Sequence, residues 1–167
     1  MRTKKTVIYA LLAVLSLALS YLETFIPLDF LVPGVKLGLG NTVALLLAYS
    51  GKIKGAFAVN ITRILLCGLL FGTPVSLLFS LTGGIMSLIV TALISKCKKI
   101  SVFGAGITGG TVHNTGQLLA AAVVFKTFNV AYYLPFLMLC GALCGAFTGL
   151  VCVLLLKNKH INKLLSF

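Results

Sequence analysis

Residues 133–156 read YLPFLMLCGALCGAFTGLVCVLLL, a run without a single charged side chain. About 20 apolar residues in a helix span the hydrocarbon core of a bilayer, because each residue adds about 1.5 Å along the axis. Gly141, Gly145 and Gly149 recur every four residues here, so they share one face of the predicted helix. Small residues at this spacing let membrane helices approach closely. The stretch predicts a membrane-spanning helix that packs tightly, within the chain rather than in a dimer.

The composition of the whole chain agrees with a location in the membrane. Of its 167 residues, 59% are hydrophobic and only 10% are charged. Soluble domains carry roughly 25% charged residues, so this chain has too few charges to cover a surface that faces water. We expect one integral membrane domain over residues 1–167, in contact with the lipid bilayer.

Six apolar segments are long enough to be considered as spans. They predict an all-α bundle of six transmembrane helices at residues 6–26, 35–50, 54–72, 75–95, 102–125 and 133–156. The second segment is short and opens with glycines, so its start is predicted to be irregular. Pro74 and Pro135 fall in the first turns of predicted helices, where the missing N–H of proline is tolerated.

The basic residues indicate the orientation of the bundle. With six spans, both termini share one side, and eleven lysines and arginines fall on that side. Only Lys36 and Lys126 fall on the other side, and Arg63 lies within a span. Cytoplasmic loops of membrane proteins are rich in Lys and Arg, so we expect both termini in the cytoplasm. We therefore interpret the net charge of +12 as a feature that sets the orientation in the membrane and contacts anionic lipid headgroups, and not as a sign of nucleic-acid binding.

The scarcity of acids excludes several enzyme classes. Glu23 and Asp29 are the only two acidic residues, so clustered carboxylates for a Mg²⁺-pyrophosphate site are absent from the sequence. Neither a nucleotide-binding lysine loop nor a dinucleotide-binding glycine motif occurs in a suitable context. We therefore expect a protein that is not catalytic alone, with no cofactor and no metal site; an accessory subunit of an enzyme is compatible with this expectation.

Arg63 is the strongest candidate functional residue. It lies nine residues after Lys54, or roughly 13 Å along a helix, which places it near the middle of the bilayer. Asn60 is one turn earlier on the same face. Ionisable groups at this depth are costly and are usually functional, either in a wet pocket or as a tether to carbonyl groups. Glu23 lies near the outer end of the first span, and whether it pairs with Arg63 stays open.

A second polar group lies in the fifth span. His113 and Gln117 are four residues apart and face the same way, and Asn114 lies about 100° around the helix. Each alone is compatible with a hydrogen bond between helices. Together, so many amide and imidazole groups within two turns favour the wall of a cavity.

The third group is the glycine-rich segment 33–41, PGVKLGLGN. It leads into the second span, and the N-terminus of a helix favours an anion. Lys36 adds a positive charge there, unless its amine extends to the lipid headgroups instead. Asn41 is expected in the outer third of the bilayer.

These groups predict one ligand-binding pocket that opens outward. Its character is cationic, so a small anionic or aromatic ligand fits it best, and aromatic rings near the outer ends of the helices would line its mouth. The predicted ligand-binding residues are Lys36, Asn41, Asn60, Arg63, His113, Asn114 and Gln117, and the mouth residues are Phe25, Phe71, Tyr132 and Tyr133.

Several motifs together resemble one known family. They are Pro33–Asn41, Arg63 followed by 68–73 (GLLFGT), 80–84 (SLTGG) with Ser87, and 112–117 (VHNTGQ). The combination resembles the Gx transporter family, also labelled heptaprenyl diphosphate synthase component I, over most of the chain. That family is similar to the substrate-binding S components of energy-coupling-factor transporters, which are bacterial inner-membrane proteins with six helices and both termini inside.

The resemblance implies two functions. As an S-component-like subunit, the chain would capture a ligand from outside and rely on a membrane coupling subunit and ATPases for energy. The alternative is a non-catalytic membrane partner of an isoprenoid or quinone-linked enzyme, a prenyl synthase, or a flavin-based electron-transfer system. The first helix offers no clean Ala-x-x-x-Ala docking motif of the kind that S components use.

Overall fold

The computed structural model describes residues 2–25, 38–97 and 99–165. This part of the chain is helical and contains no strand. Its elements are α1 (Arg2–Glu23), α2 (Asn41–Tyr49), α3 (Ile53–Phe71), α4 (Pro74–Lys96), α5 (Val102–Phe125), a 3₁₀ helix (Asn129–Tyr133), α6 (Leu134–Lys157) and α7 (Lys159–Leu165).

Four of the described helices are long and apolar enough to cross a membrane: α1, α3, α4, and α6 with its preceding 3₁₀ helix. Helix α5 has 24 residues and includes five glycines and the polar side chains of His113, Asn114 and Gln117, and it is not among these four. Helix α2 has only nine residues. An all-helical membrane protein is therefore confirmed, whereas the count of six spans is not, and the sequence did not predict α7.

The bounds of helices α3 to α6 agree with the predicted segments to within one residue. Thr73 Oγ1 accepts a hydrogen bond from Ser76 N at 3.1 Å, and Pro74 begins α4 as predicted. Ser101 caps α5 in the same way by accepting from Gly104 N at 3.1 Å. Pro135 lies in the first turn of α6, as expected. Local sequence signals thus place these helix starts.

Helix α2 differs from its predicted segment, 35–50. It begins at Asn41 after a turn in which Asn41 N donates to Gly38 O and Thr42 N donates to Leu39 O. Gly38 has a positive φ of 89°, which a side chain would disfavour. Residues 35–37 lie outside the described residues. Nine residues span about 13 Å, so α2 is roughly half as long as the hydrocarbon core is thick.

Helix α2 is the centre of the bundle. It contacts α1, α3, α4, α5 and α6, and all its residues from Thr42 to Ala48 are buried. The core formed around it includes Val59 of α3, Leu88 of α4 and Cys152 of α6. The longer helices therefore surround a short helix that has little contact with lipid.

Helices α5 and α6 pack backbone to backbone through their glycines. A methyl group on Gly106 would lie 2.6 Å from Gly149 Cα, and one on Gly110 would lie 2.9 Å from Gly145 Cα. Only glycine, which has no Cβ, lets the backbones of α5 and α6 lie this close together along the whole contact. The prediction that the glycine ridge of α6 packs within the chain is confirmed.

The glycine contact gives a first test. Replacing Gly145→Ala places a Cβ within 2.9 Å of Gly106 C, so α5 and α6 must separate. Overpacking of this kind costs about 1–3 kcal/mol, and we expect a lower midpoint of thermal unfolding in detergent. Gly104→Ala is the matched control on α5, because its new Cβ would meet only side-chain atoms, the nearest at 3.2 Å. Equal midpoints for the two variants would contradict the packing argument.

Candidate functional site

Arg63 lies in the middle of α3, and only 5% of its surface is exposed. It follows the first residue of α3, Ile53, by ten positions, or roughly 15 Å along the axis. That distance is about half the thickness of the hydrocarbon core. A guanidinium at this depth must be satisfied by other polar groups, because neither lipid nor bulk water reaches it.

Three side chains on three helices accept hydrogen bonds from Arg63. Nη1 donates to Ser20 Oγ on α1 at 2.8 Å, and Nη2 donates to Asn41 Oδ1 on α2 at 2.9 Å. Nη2 also donates to Asn60 Oδ1, one turn earlier on α3, at 2.7 Å. Arg63 therefore ties together α1, α2 and α3.

His113 joins this group through Asn41. Asn41 Nδ2 lies 3.1 Å from His113 Nδ1, and His113 is 2% exposed. Arg63 can only donate, so it fixes Oδ1 of Asn41 on its own side and turns Nδ2 toward the imidazole. Nδ1 of His113 is then the acceptor in this pair. We call Ser20, Asn41, Asn60, Arg63 and His113 the Arg63 network.

The Arg63 network also reaches α4. Asn60 Nδ2 donates to Gly84 O at 3.2 Å, so one amide contacts both the guanidinium and the next helix. Side chains or carbonyls from α1 to α5 thus meet at one level of the bundle. Asn41, the first residue of α2, therefore lies at the same level of the bundle as Arg63.

Glu23, the last residue of α1, contributes a buried carboxylate. Only 5% of it is exposed, and its Oε1 accepts a hydrogen bond from Leu39 N. Glu23 therefore links the end of α1 to the turn that leads into α2.

Sequence reasoning missed the contribution of two serines of α1 to this site. Ser16 Oγ donates to Gly40 O at 2.7 Å, and Ser20 accepts from Arg63. Both serines are buried, and they share one face of α1 with Ile8, Leu12 and Glu23. Spacings of three and four residues could have identified that face. This face of α1 is therefore turned inward, toward α2 and α3.

The other predicted site residues are placed differently. Asn114 Nδ2 donates to Leu137 O at 2.8 Å, so Asn114 contacts α6 and not the Arg63 network. Gln117 is fully buried, one turn after His113, and its Cγ packs beside Gly83 of α4. Lys36 lies outside the described residues. The structure thus brings together four of the predicted residues: Asn41, Asn60, Arg63 and His113.

Two of the predicted mouth residues also lie together. The ring of Tyr21 is 5.2 Å from that of Phe25 and 4.7 Å from that of Phe71. This cluster lies where α1 and α3 end. Tyr132 and Tyr133 are in the 3₁₀ helix, and Tyr132 is almost fully exposed.

A small internal cavity adjoins the Arg63 network. Its volume is about 20 Å³, and its polar lining includes Asn41, Asn60, Ser87 and Thr91. A space of this size and polarity suits a single water molecule. Sites for small organic ligands measure roughly 300–1,000 Å³. The cavity, as it stands, is therefore too small for an organic ligand.

Three buried polar atoms have no hydrogen-bond partner among the described residues: Arg63 Nε, Ser80 Oγ and Asn114 Oδ1. Buried polar groups are normally satisfied, so each of these atoms retains unused hydrogen-bonding capacity. For Arg63 this leaves one donor of the guanidinium without an acceptor.

The hydrogen bond from Arg63 to Ser20 gives a second test. Ser20→Ala removes an acceptor from a buried charged donor, which should lower the free energy of unfolding by about 1.5–3 kcal/mol. Ser80→Ala is the matched control, because Ser80 is also a buried helical serine and its hydroxyl bonds to none of the described residues. Thermal unfolding of both variants in the same detergent measures the difference. A loss at Ser80 as large as that at Ser20 would refute the role of Ser20.

Comparisons with known proteins agree with the resemblance in the motifs. Residues 12–155 match the family described as heptaprenyl diphosphate synthase component I. No curated protein and no solved structure matches the chain. Since the match covers most of the 167 residues, the chain belongs to the heptaprenyl diphosphate synthase component I family.

Proposed function

We propose that this protein is the membrane-embedded, substrate-binding subunit of a transporter, which captures a small anionic or aromatic ligand from the outer side. The observation that carries the proposal is the Arg63 network, a buried cation in mid-membrane with amide, hydroxyl and imidazole groups around it. A stable bundle does not require a buried arginine, because an apolar side chain at this position would cost less free energy to bury.

The short central helix supports the proposal. Irregular backbone at membrane depth is tolerated where it is buried in protein or lines a cavity. Transporters commonly place the ends of half-length helices at their binding sites, where the exposed N–H groups contact anionic substrate. The turn at Gly38–Gly40 and the start of α2 beside Arg63 have this arrangement.

In this proposal the protein crosses the bacterial inner membrane six times, with both termini in the cytoplasm. Helices α1, α3, α4, α5 and α6 each cross the membrane, and the segment predicted from the sequence at 35–50 accounts for the remaining crossing. The distribution of lysines and arginines along the sequence supports this orientation. The start of α2 then faces the outer side, from which the ligand arrives.

The chemistry of the network selects the ligand class. Arg63 and the N-terminus of α2 both favour negative charge, and Asn41 and Asn60 supply neutral hydrogen bonds. The ring cluster of Tyr21, Phe25 and Phe71 offers flat apolar surface at the outer end. A compact anion with an aromatic or apolar body satisfies both features.

Energy for transport would come from other proteins. The sequence carries no recognisable nucleotide-binding motif. We therefore propose that a membrane coupling subunit and ATPases act on this chain, as they do on the S components that its motifs resemble.

A second candidate function is a non-catalytic membrane partner of an isoprenoid or quinone-linked enzyme. The description of the family names a prenyl diphosphate synthase component, which favours such a partner. One structural feature fits it as well: an apolar groove of about 310 Å³ between α4 and α5, lined by residues such as Leu78, Leu119 and Val123. This groove would accept a hydrocarbon chain rather than a compact anion.

Ligand retention tests the transporter proposal. Wild type, Arg63→Met and Lys96→Met are purified gently from native membranes, and the small molecules that remain bound are measured by mass spectrometry. We expect an anionic compound with the wild type and about tenfold less, or lower still, with Arg63→Met, since hydrogen bonds to a charged group contribute about 1.5–3 kcal/mol. Lys96 is exposed at the end of α4, so Lys96→Met should retain the compound. Equal retention by Arg63→Met would remove Arg63 from the binding site.

The proteins recovered in the same preparation separate the two candidate functions. A coupling membrane subunit with an ATPase pair would support transport. A prenyl synthase or flavoprotein, recovered with an isoprenoid lipid and without an ATPase, would overturn the transporter proposal in favour of the second candidate.

A further inference from the structure

The connection between α5 and α6 carries four exposed aromatic rings, at Phe125, Phe128, Tyr132 and Tyr133. Phe128 is 88% exposed and Tyr132 is 86% exposed. Apolar surface is transferred out of water favourably, so clustered rings with this exposure mark a surface that contacts something other than water. We call residues 125–133 the aromatic connection.

The aromatic connection is held in place by its inner face. Val130 of the 3₁₀ helix is partly buried and packs against Leu118 of α5 and Leu137 of α6. Before it, Thr127 Oγ1 accepts a hydrogen bond from Asn129 N at 3.2 Å. The connection is thus an ordered segment with two faces, one packed on the bundle and one that presents aromatic rings to the surroundings.

The length of α6 indicates the depth of the aromatic connection in a bilayer. Helix α6 ends at the charged residue Lys157 and has 24 residues, or about 36 Å along its axis. The hydrocarbon core is only about 30 Å thick. If Lys157 lies at one interface, the 3₁₀ helix before α6 lies beyond the core, at the level of the opposite headgroups. Tyrosine rings are enriched at this level, because they combine an apolar body with a polar hydroxyl.

The charge of the aromatic connection agrees with this position. Lys126 is the only lysine, arginine, aspartate or glutamate between Lys99 and Lys157, and it is exposed. A lysine amine at the end of a membrane helix extends to the headgroup region, where phosphate groups surround it. One cation beside several aromatic rings is therefore complementary to a phospholipid surface.

Exposed rings also occur elsewhere at this end of the bundle. Phe71 ends α3 and contacts Tyr21 of α1, and α4 begins directly after it at Pro74. Phe79 of α4 then lies 6.1 Å from Phe125 of α5, between ring centroids. Helix α1 packs on α3, whereas α5 packs on α4 and α6, so the rings are distributed around the bundle. A bilayer contacts all sides at one level, which favours lipid over a protein partner that covers one side.

We propose that the aromatic connection anchors the protein in the headgroup region of the bilayer, with the rings of Phe128 and Tyr132 among the headgroups and Lys126 at their phosphates. In the proposed orientation this is the outer leaflet. The inference rests on the crossing of α6 in the proposed function, and not on the ligand. Tyr132 is not among the described residues that line the internal cavity, so its exposed ring has a role apart from that cavity.

The chain contains no tryptophan, so one substitution provides a single fluorescent reporter. Tyr132→Trp is placed in phosphatidylcholine vesicles whose acyl chains carry bromine, a quencher, either next to the headgroup or near the methyl end. We expect emission shifted to shorter wavelength than that of tryptophan in water, and stronger quenching by the shallow bromine. Phe147→Trp is the matched control, because Phe147 is 58% exposed near the middle of α6. The deep bromine should quench Phe147→Trp more strongly.

Two results for Tyr132→Trp would overturn the anchor. One is emission as in water, quenched by dissolved iodide and not by bromine, which would leave the rings for a protein partner. The other is stronger quenching by the deep bromine, which would place the ring inside the hydrocarbon core. In either case, deep quenching of Phe147→Trp and a compound retained by the wild type would leave the proposed function standing.

Discussion

A buried guanidinium requires hydrogen-bond acceptors, and that requirement determines how the helices around Arg63 are assembled. Arg63 obtains them from Ser20, Asn41 and Asn60, on α1, α2 and α3. Asn41 then connects to His113 on α5, and Asn60 connects to Gly84 on α4. Five helices therefore adopt their relative positions around one charge, because leaving any of these groups unpaired in an apolar interior costs free energy.

The remaining features of the fold are consistent with this constraint. Helix α2 is short and buried, so its first residue can reach Arg63 at mid-depth. Glycines at 106, 110, 141, 145 and 149 bring α5 against α6, which closes the opposite side of the bundle around α2. The result is a polar centre with a cavity of about one water molecule, inside a shell that faces lipid.

The sequence predicted the helices better than the site. Apolar runs and starts such as Thr73-Pro74 are local signals, and they placed α3 to α6 to within one residue. The start of α2 depends on Asn41 reaching Arg63, a contact distant in sequence. Which polar residue of α5 belongs to the site also depends on the neighbouring helices. His113 contacts Asn41 of α2, whereas the next residue, Asn114, donates a hydrogen bond to Leu137 O of α6. Ser16 and Ser20 resemble ordinary small residues, and their role becomes visible only when α1 packs on the turn before α2.

The most direct test of this account is an experimental structure of the protein isolated gently from native membranes, determined by cryo-electron microscopy with a bound antibody fragment. We expect density for a small anion in contact with Arg63 and the start of α2, in a cavity larger than the present one of about 20 Å³. The account would be contradicted by a bundle in which Arg63 contacts only Ser20, Asn41 and Asn60, while a hydrocarbon chain lies in the groove between α4 and α5.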